Sequence, residues 1–162
     1  MRKLLTMAVA ALLTACSSID CPVQTQVTTQ YVICDHDGEA LELTGELTVT
    51  STRKDGSDVT LLNLVTGISA FSLPVSYSHP EDELVFCFTS NLGADTLAID
   101  TVWVKKDDFP HFESVECSAS FFHELTSVRH THNIIDSLVI LNRSVTYDQT
   151  TTHFRLVPKT DD

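Results

Sequence analysis

The feature that most constrains the fold of this chain is an alternation with period two, cut at short intervals by turn residues. From 41 to 49, Leu41, Leu43, Leu47 and Val49 alternate with Glu42, Thr44, Glu46 and Thr48. From 71 to 77, Phe71, Leu73, Val75 and Tyr77 alternate with Ser72, Pro74 and Ser76. Neighbouring side chains of an extended backbone point to opposite faces, so each stretch is a strand with one apolar and one wet face. Further strands are expected over 23–34, 58–65, 83–89, 96–105, 115–128, 136–141 and 152–157, and no stretch after residue 15 has a helical period. Turn pairs separate them at Asp37-Gly38, Asp55-Gly56, Thr66-Gly67, His79-Pro80, Leu92-Gly93 and Phe109-Pro110. About nine short strands punctuated in this way predict an all-β fold, a single two-sheet antiparallel β-sandwich of immunoglobulin-like or transthyretin-like type. Pro74 cannot donate to a ladder and marks an edge strand. Leu138-Val139-Ile140-Leu141 is apolar on both faces and predicts a central one. Leu97, Ile99 and Trp103 share parity, which predicts a buried tryptophan.

The first fifteen residues read differently. Arg2 and Lys3 precede an uncharged run from Leu4 to Leu13 that ends in small residues, the layout of a secretory signal peptide. The run is shorter than the ~20 helical residues a bilayer core requires. Leu13-Thr14-Ala15-Cys16 resembles the lipobox of bacterial lipoproteins. That resemblance implies cleavage just before Cys16 and a diacylglyceryl group on its sulfur. The expected organisation is a removed signal peptide over 1–15, a lipid tether over 16–20, a sandwich domain over 21–158 and a tail over 159–162. The acyl chains would hold the protein to the membrane.

Arg2 and Lys3 leave eight basic residues against 22 acidic ones after cleavage, a formal charge of −14. Such a surface repels nucleic acid phosphates, and the basic residues form no stripe. Apart from Cys16, the cysteines are Cys21, Cys34, Cys87 and Cys117, an even set that in an exported chain reads as two disulfides. Cys21 and Cys34 bracket a segment without interior turn residues, whose thirteen extended steps span up to ~43 Å and disfavour their pairing. The remaining pairings are Cys21–Cys117 with Cys34–Cys87, or Cys21–Cys87 with Cys34–Cys117. The shared local pattern of Ser18-Ile19-Asp20-Cys21 and Ser114-Val115-Glu116-Cys117 favours the first.

FSLPVSY at 71–77, DTVWV at 100–104, SVECSASFFHELTSV at 114–128 and HTHNIIDSLVILN at 130–142 together resemble a family of small bacterial lipoproteins with a domain of unknown function. The resemblance implies an all-β envelope lipoprotein of a Gram-negative bacterium, in the outer membrane and facing the periplasm or the cell surface. It carries over no catalytic residue.

Among residues able to do chemistry, His130-Thr131-His132 places two imidazoles on one face of an extended segment, where they could share a transition metal with His123 or His153 as third ligand. Asp35-His36-Asp37-Gly38-Glu39 gathers carboxylates around a glycine, but without calcium-loop spacing, and reads as an Asp-Gly hairpin turn joining the strands on either side. Glu81-Asp82-Glu83 and Asp107-Asp108 read as solvated turns. The chain contains no G-x-S-x-G elbow, phosphate-cradling glycine loop or H-E-x-x-H motif. The expectation is a non-enzymatic, membrane-anchored interaction module without a cofactor, whose partner is an envelope protein or glycan. A zinc- or calcium-dependent binder is the alternative, and an unrecognised hydrolase comes third.

Overall fold

The structure, a computed structural model, describes residues 26–89 and 96–159. The leader, Cys16, Cys21, the Leu92-Gly93 turn and the last three residues lie outside the described residues.

The described residues form ten strands: β1 (Thr28–Ile33), β2 (Glu46–Thr52), β3 (Asp58–Val65), β4 (Ala70–Pro74), β5 (Glu81–Thr89), β6 (Thr96–His111), β7 (Ser120–His130), β8 (Ile135–Ile140), β9 (Ser144–Val145) and β10 (Phe154–Pro158). They make two sheets, one of four strands in the order β4-β1-β10-β8 and one of six in the order β3-β2-β5-β6-β7-β9. Nine of them overlap the expected strands, though β2 begins only at Glu46, so that Leu41 and Leu43 precede it, and the two-residue β9 is additional. The fold is the expected two-sheet β-sandwich, with one departure from antiparallel pairing. β1 and β10 run parallel, Tyr31 opposite Phe154 and Ile33 opposite Leu156. A parallel pair needs a long crossover, and here everything between the two strands supplies it.

Period two fills the space between the sheets. Leu47, Val49, Phe86 and Val102 on the larger sheet face Tyr31, Ile33, Leu73, Phe154 and Leu156 on the smaller one, all buried. The Tyr31 ring is stacked between Phe71 at 4.8 Å and Phe154 at 4.7 Å, and meets Phe86 across the interface at 6.2 Å. Burial of each such side chain contributes about 1.5–3 kcal/mol before entropy is counted.

β4, which carries Pro74, is an edge strand, as its missing N–H requires. β8 is an edge strand as well, not a central one, because among the described residues β10 is its only ladder partner. Its apolar Val139 and the following Leu141 are exposed. The Asp37-Gly38 turn, with Gly38 at φ 89°, closes only a local bridge between Cys34 and Ala40. The chain then crosses to the other sheet, so β1 and β2 are not a hairpin. The Asp35 carboxylate accepts the amides of Asp37 and Glu39 at 3.0 and 2.8 Å and is spent on the turn itself. Phe109-Pro110 is no turn: both residues continue β6, paired with Phe122 and Phe121.

Trp103 also departs from expectation. The inward positions of β6 are Asp100, Val102, Val104 and Lys106, so Trp103 lies on the outer face. There Arg129 covers its ring at 3.9 Å and Glu83 accepts its indole N–H at 2.8 Å.

Candidate functional site

Four ionisable side chains converge at the end of the sandwich where β4 stops and the β6–β7 hairpin begins to project. Asp82 points inward from β5, Lys106 and Asp108 from β6, and His123 from β7, where it pairs with Asp108. A register shift opposite Lys105 and Lys106 leaves one extra residue on β7, Thr126. A one-residue slip exchanges the faces of a strand. The extra residue therefore turns Leu125 and His123 inward, where Thr126 and Glu124 would otherwise point.

The Lys106 side chain has no exposed surface. Its ammonium donates to the backbone carbonyl of His79 at 2.6 Å and lies 3.4 Å from Asp108 and 3.7 Å from Asp82. His123 donates from Nδ1 to Asp108 at 2.6 Å. Asp82 accepts the Ser76 amide at 3.2 Å, which ties the β4–β5 connection to the cluster. Burial pushes the Asp82 carboxyl above the usual carboxylate range, and Lys106 and the Ser76 amide reverse this only in part. Burial also lowers the His123 imidazole, against the pull of Asp108.

Two open clefts flank it and share Pro74 and Val75. One, of about 460 Å³, has Asp82 on its wall together with Arg53, Asp55 and His79. The other, of about 500 Å³, has His123 on its wall beside Gln26, Ser120 and the stacked rings of Tyr77 and Phe121, 4.6 Å apart. Asp82 and His123 thus each border one cleft, while Lys106 lies wholly buried between the carboxylates.

Sequence reasoning missed all four residues as a unit. Asp82 and Asp108 sit in charge runs that read as solvated turns, yet both lie in strands on the inward face. The available signal was the shared parity of Val102, Val104, Lys106 and Asp108, but it acquires meaning only once the pairing of β6 with β5 and β7 is known.

The residues singled out from sequence are distributed elsewhere. His130 and His132 lie at the opposite end of the sandwich, their rings 4.2 Å apart, with His130 Nδ1 donating to the Thr131 carbonyl at 2.7 Å. Neither expected third ligand joins them. His123 belongs to the charged cluster, and His153 is buried with both ring nitrogens engaged, accepting the Gln30 amide at 3.0 Å and donating to the Ser144 carbonyl at 3.1 Å. Among the described residues no three His, Cys, Asp or Glu side chains are grouped to hold a metal ion.

Cys34 and Cys87 are free thiols, which corrects both expected pairings involving them. Cys87 lies between the inward Phe86 and Phe88 and so faces outward from the six-stranded sheet, whereas Cys34 follows the inward Ile33 on the four-stranded sheet. The whole core separates the two. Cys117 is disulfide-bonded.

A two-sheet β-sandwich with a buried charged cluster between two clefts at one end is thus the class of domain defined by the fold and the site. The chain belongs to a family of unknown function (DUF6452), whose pattern matches residues 46–158, from the first residue of β2 to the last of β10. Comparison with curated proteins and with solved structures gave no match.

Proposed function

We propose that this protein is a non-enzymatic, membrane-tethered binding module of the bacterial envelope, anchored through lipid on Cys16 and stapled by a Cys21–Cys117 disulfide. The ligand or partner is an envelope protein or glycan that presents hydrogen-bond donors to the cleft end. The observation that carries this reading is the Asp82–Lys106–Asp108–His123 cluster. Buried ion pairs cost several kcal/mol of desolvation per ion, and well-packed apolar residues often replace them without loss of stability. A cluster of this kind that also faces two clefts is better explained by contact with a partner than by folding alone.

Photo-crosslinking in intact cells tests the reading. A photoreactive residue at Ser78, on the cleft wall, should capture one envelope partner that the same residue at the exposed Leu64 does not. Equal capture from both positions, or capture unaffected by Lys106→Met in a folded variant, would sink it. Cys16→Ala should move the protein out of the membrane fraction. Unreduced peptide mapping should join Cys117 to Cys21 and leave Cys34 and Cys87 alkylated.

The adjacent imidazoles of His130 and His132 favour a second reading, binding of zinc with a ligand from outside the chain. It predicts a melting temperature raised by Zn²⁺ and unmoved by it in the double variant His130→Ala, His132→Ala; no shift in the parent protein removes it.

A further inference from the structure

The β6–β7 hairpin extends past the end of β5 and ends in a tip, residues 112–119, that carries exposed apolar side chains. Phe112 is 62% exposed and Val115 fully exposed, with Phe109 and Tyr77 also more than half exposed at the same end. Exposed aromatics clustered on one end of a domain mark a contact surface. Two facts identify what covers this one. Cys117, within the tip, is disulfide-bonded, and the staple proposed above gives it Cys21 as partner. Gln26, the first described residue, lines the same cleft as Ala119 and Ser120, so the chain enters the domain beside the tip. Five extended steps separate Cys21 from Cys16, a reach of at most ~17 Å.

We infer that the tip is a membrane-contacting surface: Phe112 and Val115 enter the interfacial region of the bilayer to which Cys16 is anchored, and the domain stands end-on with its clefts at headgroup level. This rests on the lipid anchor and the Cys21–Cys117 staple proposed above. Apolar and aromatic side chains partition into that region, typically 5–10 Å deep for surface-bound elements. Glu113 and Glu116 alternate with the apolar pair and limit the depth, since their carboxylates stay in water.

The test uses the mature lipidated protein in vesicles of phosphatidylcholine with brominated acyl chains. Trp103→Phe removes the single native tryptophan. Phe112→Trp is then added in one variant, and Glu39→Trp, in the exposed turn at the far end, in another. Supporting results are emission from position 112 that is blue-shifted and lost to bromine, together with emission from position 39 that is neither. Co-sedimentation with vesicles but no quenching at 112 overturns this inference and leaves the anchor standing. Quenching at both positions overturns the end-on orientation. Failure to co-sediment overturns the anchor and this inference with it.

Discussion

Two buried aspartates, at opposite ends of the larger sheet, have been given opposite environments. Burial alone would raise the carboxyl of Asp100, but the Thr131 hydroxyl at 2.6 Å and the amides of Ile135, Asn133 and Ile134 at 2.7–2.8 Å outweigh it and hold the group below the usual carboxylate range. Its acceptor sites are filled by the β7–β8 connection, which it latches to β6. Asp82 receives one amide at 3.2 Å and an ammonium at 3.7 Å, and stays above the usual range. Burial is common to both. The difference is how far the lone pairs are saturated, and Asp82 keeps acceptor capacity beside a cleft.

The largest expected effect breaks the brace. Asp100→Ala orphans three amides and a hydroxyl and should cost about 5 kcal/mol in urea unfolding, since each unmade buried bond costs about 1–3 kcal/mol. A loss below 1 kcal/mol would show that the latch is dispensable. At the other end, Lys106→Met strands two carboxylates and should cost about 3 kcal/mol, while the further change Asp82→Leu should recover most of it, because apolar replacement of a whole buried ion pair is often neutral. No recovery would mean that the cluster is a brace like Asp100.

Acidification sharpens the contrast without mutation. Burial, the larger influence, holds His123 and His153 below the usual histidine range against Asp108 and the Ser144 carbonyl respectively. The unfolded chain therefore takes up protons that the folded one refuses, and stability, complete above pH ~6.5, falls as pH drops below it. Asp82, with its pKa raised, acts in the opposite sense and sheds its burial penalty as pH nears the carboxylate range, so Asp82→Asn should steepen the fall at the acid end. The contribution of Asp100 is retained until pH drops below ~3.9. Melting temperature against pH reads all three; a profile flat from pH 7 to 5 would refute the histidine assignment, and His153→Gln should flatten it in part. The smallest effect lies on the outer face, where Arg129→Ala removes the cation above Trp103 and should cost only about 0.5–1 kcal/mol.

Strands were legible in the sequence because hydrophobic alternation is a local signal. β3 was bounded as expected, and Leu47, Val49, Phe71 and Leu73 face the core as their parity requires. Errors arose where inward positions carry charge. On β6, Asp100 and Lys106 alternate with Ile99 and Trp103, and hydrophobicity pointed to the wrong face. The apolar run of β8 reads as central although it forms an edge with Val139 and Leu141 exposed, since the composition of a run fixes neither ladder order nor the burial of its outer face. The charged cluster was illegible for a similar reason: it depends on the register of three strands and on one extra residue at Thr126.

The parallel pairing of β1 with β10 also bears on how the domain is made. β10 sits between β1 and β8, so neither can join the other until the last strand has arrived. A chain synthesised in N-to-C order would hold its first strand in waiting through most of its synthesis. Contacts of such long sequence separation slow folding. They also act as a length check: a product truncated before Phe154 loses the middle of the smaller sheet and should be cleared by proteases, while a full-length chain closes on itself in a late step.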